Sequence, residues 1–181
     1  MCGIAGIFNL NGEPVSDTLL KQMTDAIKHR GPDGEGFYID RFLGLGHRRL
    51  AVLDLSPLGK QPMLTVDGRL AITYNGEIYN YKEIRLELEE LGHKFVSNTD
   101  TEVILHSFEQ WSTDFVARLI GMFVIVIYDK STKRVFLFRD RAGVKPIYYY
   151  WHNNLFLFAS ELKALIEHSA FIREIDTNVL P

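Results

Sequence analysis

Cys2 is the single cysteine of the chain, and its position makes it a chemical candidate. A lone cysteine is ordinarily a small buried hydrophobe, and a place at the head of an apolar run suits that role. Removal of the initiator methionine would instead make it N-terminal, with a thiol and a free α-amine a few bonds apart. Such an amine titrates near ~7.7–8 and such a thiol near ~8.5. One residue would then hold both a nucleophile and its base. Gly3 is compact, so nothing bulky shields the Met1–Cys2 bond.

Two further groups could complete an acyl-transfer site. In Tyr74-Asn75-Gly76-Glu77, Asn-Gly is a strong turn signal. The same pair offers a side-chain amide beside an unhindered backbone N–H, which suits an oxyanion hole. In Gly46-His47-Arg48-Arg49-Leu50 the arginines form either a basic surface turn or a bidentate grip on a carboxylate. Asp100, in Ser97-Asn98-Thr99-Asp100-Thr101-Glu102, is either a first-turn helix residue favoured by the dipole or a partner for an ammonium. An arginine and an aspartate together are what an amino-acid zwitterion asks of a pocket.

Other patterns carry less. Gly3-Ile4-Ala5-Gly6 lacks the following Lys-Ser/Thr of a phosphate loop and is not GxGxxG. The six histidines show no HExxH spacing, so no metal site is expected. The stretch from Arg139 to Pro146 reads as a hairpin loop that could face a partner. The aromatic run 148–151 reads as sheet core.

These residues need elements to hold them. Apolar segment 3–9 fits an opening strand. Leu19, Leu20, Met23, Ala26 and Ile27 share a helical face over 17–28, with Ser16 as cap. Segment 29–36 is turn chemistry, and short strands are expected at 36–40, 43–47 and 69–74. Asn80 with Glu83 resembles a capping box and Gly92 a stop, giving a helix over 81–91. Thr99 with Glu102 repeats the signal for 101–111. Runs 122–129, 134–138, 147–151 and 155–159 follow at hairpin spacing and read as antiparallel strands buried on both faces. A further helix is expected at 161–168. Two sheets packed face to face with helices outside is the arrangement this pattern predicts.

At 181 residues the chain is one domain, long enough to bury its own core. It is 46% hydrophobic and 24% charged, and its net charge of -3 argues against general binding to a nucleic-acid backbone. No apolar run reaches the ~18–20 residues of a membrane span, and the start has no basic region of a secretory signal. One cysteine excludes an internal disulfide and a multi-cysteine zinc site. A cytoplasmic setting is expected.

The stretches MCGIAGIF, RGPDGEG, GHRRLAVLD, YNGEIYN, SNTDTEV, GMFVIVIYD, RDRAGVKPIYY and ASELKAL occur in the order seen in class II glutamine amidotransferase domains. The chain resembles that family over nearly its whole length, and within it the N-terminal glutaminase domain of asparagine synthetases. The resemblance implies an α+β fold, a four-layer αββα sandwich of the N-terminal-nucleophile type. It implies that Met1 is removed and that Cys2 attacks the side-chain amide of L-glutamine, leaving a thioester that water hydrolyses to glutamate. Asn75 and Gly76 would form the oxyanion hole. Arg49 would hold the α-carboxylate and Asp100, helped by Glu77, the α-amine. Arg49, Leu50, Ala51, Val52 and Leu53 would line the pocket. The ammonia would pass to an asparagine-synthetase-like acceptor domain.

By the same resemblance, residues 1–181 are the glutaminase domain. An ATP-dependent synthetase domain, with an SGGxDS loop absent from this sequence, would begin near Asp176–Pro181 in a longer parent. No cofactor is expected in the glutaminase domain, and ATP and magnesium belong to the synthetase domain. The expected partners are L-glutamine and that domain in cis, across a surface near Arg139–Lys145 and Pro181. A homodimer stays open. An acylase acting on another amide needs neither Arg49 nor Asp100. A glutamine-sensing domain without turnover has no need of Cys2, Asn75 and Gly76.

Overall fold

The computed structural model describes residues 1–174. The expected junction at Asp176–Pro181 and the expected surface near Pro181 lie outside the described residues. Among the described residues nine strands form two antiparallel sheets. The first contains β1 (Gly3–Asn9), β2 (Gly34–Asp40), β3 (Leu43–Arg49), β8 (Tyr148–His152) and β9 (Leu155–Ala159), in the order β2-β3-β1-β9-β8. The second contains β4 (Met63–Leu64), β5 (Leu70–Ile78), β6 (Gly121–Asp129) and β7 (Arg134–Arg139), in the order β4-β5-β6-β7. Four α-helices of the described residues cover them: α1 (Asp17–Ala26), α2 (Tyr81–Glu90), α3 (Asp100–Trp111) and α4 (Leu162–Ile166).

Three apolar clusters show the layering. Leu20, Met23 and Ile27 of the α1 region meet Ala5, Ile7, Leu157 and Leu165 between α1, α4 and the first sheet. Ile4, Leu43, Leu45, Val124, Val126, Tyr128 and Phe158 fill the space between the sheets. Ile104, Leu105 and Phe108 of α3 pack on Leu70, Ile72, Ile125 and Ile127 of the second sheet. The result is the α/β/β/α sandwich that the pattern predicts. Both faces of β1 and β6 are apolar because each is covered by a helix on one side and a sheet on the other. Burying a side chain such as Leu20 or Met23 is worth ~1.5–3 kcal/mol.

Local signals explain the helix ends. Ser16 Oγ accepts from Leu19 N at 3.3 Å and Thr99 Oγ1 from Glu102 N at 3.2 Å, so both caps act as expected. Gly92, at φ +96°, ends α2 through bonds from Gly92 N to Glu89 O (3.0 Å) and from His93 N to Leu88 O (3.0 Å). This is a Schellman stop, whose left-handed residue favours glycine.

Several expectations need correction. Asn80 starts α2 without a side-chain cap. Its amide instead spans to the loop before β6, donating to Arg118 O and accepting from Ile120 N. Residues 34–36, expected as turn, already belong to β2, and α1 and α4 are shorter than expected. Arg139–Pro146 is not a hairpin loop. It leaves β7 in one sheet and enters β8 in the other. Nor is the run 148–151 sheet core. β8 is an edge strand, with β9 on one side, and Tyr148, Tyr149 and Trp151 are exposed. No described helix is long and apolar enough to cross a membrane.

Candidate active site

The site forms where both sheets end on the same side. Cys2 directly precedes β1. Gly3 pairs with Arg48 across the β1–β3 ladder, so the thiol falls beside the chain leaving β3. Leu50 N donates to Cys2 Sγ at 3.4 Å, and the thiol donates to Leu50 O at 3.6 Å. Arg30 Nε donates to Cys2 O at 3.0 Å and its Nη1 to Glu161 at 3.0 Å, which fixes the backbone of the nucleophile. Burial pushes the Cys2 thiol up. The Leu50 N–H, the chain's N-terminal charge and Arg49 pull it down, while Asp100 adds to the rise.

The second sheet brings Asn75 and Gly76. They are not in a turn. They sit inside β5, paired with Val124 and Phe123 of β6. A Cβ on Gly76 would come within 2.7 Å of Phe123 Cα and closer still to Met122 O, so a residue without one is required there. Asn75 is buried, and its Nδ2 has no hydrogen-bond partner among the described residues. A buried donor with no partner is costly unless something else supplies an acceptor. A substrate oxygen developing negative charge is such an acceptor.

Asp100 opens α3 and is buried. Tyr74 Oη donates to its Oδ2 at 2.7 Å and Ile78 N at 3.1 Å. Burial raises its titration above the ordinary carboxylate range, and these two donors offset part of that rise. Arg49 ends β3. Its Nη1 donates to Ser56 O at 2.9 Å and its Nη2 to Asp54 O. Five guanidinium N–H groups leave donors to spare after those two bonds.

Cys2, Arg49, Leu50, Val52, Leu53, Asn75, Gly76, Glu77 and Asp100 all line one cavity of about 200 Å³. The structure therefore brings the expected residues together, with one exception. Ala51 is not in the lining; its N–H donates to Asp33 Oδ2 at 2.9 Å, shaping the loop from behind.

The same cavity is lined by residues that the sequence pattern did not single out: Gln61, Tyr74, Thr101, Met122 and Lys145. Gln61 accepts from Tyr74 N at 2.6 Å and donates to Thr101 Oγ1 at 3.2 Å, bridging β5 to α3. Lys145 is only 4% exposed and comes from the crossover loop. Asp140 holds that loop, accepting from Phe123 N, Val144 N and Lys145 N. Met1 also lines the cavity, and its thioether lies 3.2 Å from Lys145 Nζ. With Met1 in place the Cys2 nitrogen is an amide and no base.

A model of the glutamine amidotransferase domain matches residues 1–181. The asparagine synthetase [glutamine-hydrolyzing] 2 of Bacillus subtilis is 46% identical over 171 residues, covering 93% of this chain and 22% of that protein. A putative asparagine synthetase [glutamine-hydrolyzing] 2 of Methanocaldococcus jannaschii is 45% identical over 184 residues, covering 92% of this chain and 35% of that protein. The chain thus spans roughly a quarter to a third of these relatives. Among solved structures, the glutamine phosphoribosylpyrophosphate amidotransferase of B. subtilis shares the fold at a TM-score of 0.77, with 20% identity over 91% of this chain and 43% of that one.

Proposed function

The chain belongs to the glutamine amidotransferase domain family, and on that premise we propose that it hydrolyses the side-chain amide of L-glutamine through Cys2. One observation carries the assignment. A thiol, an unpartnered amide donor, an arginine and a buried aspartate from four separate elements meet in a single cavity. Arg49 and Asp100 would hold the α-carboxylate and α-ammonium, with Glu77 adding negative charge beside Asp100. Neither charge serves an acylase, so glutamine is favoured over other amides.

Excision of Met1 exposes the Cys2 α-amine, which takes the thiol proton directly or through a water. The thiolate forms a bond to the amide carbon, and the negative charge moves to the oxygen facing Asn75 Nδ2 and Gly76 N–H. The protonated amine gives its proton to the nitrogen as the C–N bond breaks, releasing ammonia. Water then cleaves the γ-glutamyl thioester, and glutamate leaves.

The similarity to asparagine synthetases supports a role in feeding ammonia to an ATP- and magnesium-dependent synthetase domain of a longer cytoplasmic protein. The glutaminase step itself uses no cofactor.

The test is one intact-mass spectrum after incubation with a diazo-ketone analogue of glutamine, alongside an ammonia-release assay. The expected product lacks Met1, carries one adduct, and is protected by excess L-glutamine. Protein that lacks Met1 but stays unlabelled overturns the assignment, as does labelling that glutamine leaves unchanged. Labelling and protection without ammonia release would identify a glutamine sensor instead.

A further inference from the structure

About two turns along α3 from Asp100, a second group of chemically able side chains gathers outside the cavity. The Schellman stop at Gly92 turns the chain so that His93 faces α3. There His106 and Glu109 stand on one face, three residues apart. His93 Nδ1 lies 3.2 Å from His106 Nδ1, and His106 Nδ1 lies 2.9 Å from Glu109 Oε2. One ligand atom from each of the three residues lies within 4.8 Å of the other two, and all three residues are half-buried.

The outer partners decide where the ring protons sit. His93 Nε2 lies 3.0 Å from Gln110 Oε1, an acceptor, so this nitrogen donates and Nδ1 is left with its lone pair. His106 Nε2 faces the carboxylate of Glu102 at 3.9 Å, so the ring proton has a second place to go once a metal takes Nδ1. Glu102 is itself held by Val96 N, Ser97 N and Ser97 Oγ at 2.6–2.9 Å. In the metal-free chain one proton on His106 Nδ1 joins it to Glu109 Oε2 at 2.9 Å and to His93 Nδ1 at 3.2 Å, and a cation in place of that proton would meet two Nδ1 lone pairs and a carboxylate oxygen.

We propose that His93, His106 and Glu109 form a zinc site that pins the segment after α2 onto α3. With Zn–N bonds of ~2.0–2.1 Å, tetrahedral ligands stand about 3.3 Å apart, close to the observed Nδ1–Nδ1 separation. Gln110 supplies the outer hydrogen bond that orients a metal-bound imidazole at His93, and the Glu102 carboxylate lies on the outer side of His106. Two imidazoles and one carboxylate suit zinc and not calcium or magnesium, which take oxygen ligands. A water would complete the four ligands. This site is separate from the glutaminase chemistry and does not depend on it. It also departs from the expectation drawn from the missing HExxH pattern, because the ligands come from a loop and a helix.

The test is calorimetric titration of the Cys2→Ala chain with zinc. That chain has no thiol, so nitrogen or oxygen must hold any metal that binds. The expected result is one equivalent per chain. The unfolding temperature should rise by about 5–10 °C at about a hundredfold excess over Kd. His93→Gln and His106→Gln should each weaken binding by about tenfold or more. Cobalt(II), titrated into the unsubstituted chain, should give the intense visible bands of a tetrahedral site without a thiolate charge-transfer band. This arm needs no variant to fold. Absence of saturable zinc binding, unchanged affinity in both histidine variants, or a cobalt spectrum like that of the hydrated ion would each show that a proton alone joins these residues.

Discussion

Tyr74 Oη donates to Asp100 Oδ2 at 2.7 Å, tying the strand that carries Asn75 and Gly76 to the helix that carries Asp100. The oxyanion donors and the carboxylate expected to hold the substrate amine are thus joined by one hydrogen bond. Asp100 receives that bond and another from Ile78 N, and both favour its charged form against burial.

Tyr74→Phe removes the hydroxyl and keeps the ring. A hydrogen bond to a charged group is worth ~1.5–3 kcal/mol. KM for glutamine should therefore rise by about tenfold or more, with a smaller change in kcat. Steady-state ammonia release against glutamine concentration reads both. A fall in kcat at constant KM would show that Tyr74 serves the chemical step and not the grip of Asp100 on substrate.

Asn75→Ala should behave in the opposite way. Its Nδ2 bonds to nothing among the described residues, so its loss should leave the unfolding temperature near that of the parent. An oxyanion donor acts chiefly in the transition state, and removing one costs ~10²–10³ in kcat. Glutamine should still protect Cys2 of this variant from alkylation. Full activity in a folded Asn75→Ala chain would remove the residue from the mechanism.

Much of this was legible in the sequence because it rests on local chemistry. Apolar runs mark β1, β5, β6 and β9, and the Ser16, Thr99 and Gly92 signals mark helix ends. Cys2, Asn75 and Asp100 stand out by residue type and position. What was not legible depends on long-range placement. Whether β8 lies inside a sheet or at its edge is set by topology, so an aromatic run that reads as core ends up exposed. Asn-Gly in Tyr74-Asn75-Gly76-Glu77 carries a turn signal, yet pairing with β6 keeps it extended. Asn80 and Glu83 have the spacing of a capping box, but Asn80 bonds to the distant loop at Arg118–Ile120. Lys145 reaches the cavity only because Asp140 folds the crossover loop inward. Gln61 carries no motif, and Tyr74 heads one whose turn signal lies in Asn75 and Gly76; the roles of both arise from meeting α3.

Stability should carry the signature of His47. It lies fully buried in β3, with Nε2–H donating to Tyr74 O at 3.2 Å. Burial, reinforced by Arg49, holds its titration down at about 3, against an ordinary value of 6.5, although the bond to Tyr74 opposes the shift. The unfolded chain therefore takes up a proton below pH 6.5 that the folded chain refuses until about pH 3. Unfolding free energy is fully present above pH 6.5 and falls with acid by up to ~1.4 kcal/mol per pH unit. Glu161, paired with Arg30, His29 and Lys163, titrates at about 2 and adds its own loss only below its ordinary 4.5. The interval from pH 6.5 to 5 thus lies above the loss at Glu161, while Asp100, raised by burial, works in the opposite sense. His168, lowered by burial, contributes in the same direction as His47. Denaturant unfolding of His47→Gln across that interval should show lower stability at pH 7.5 but a shallower decline with acid. Parallel declines in the variant and the parent would mean that His47 is already protonated in the folded protein. The hydrogen bond from β3 to Tyr74 would then be made by an imidazolium.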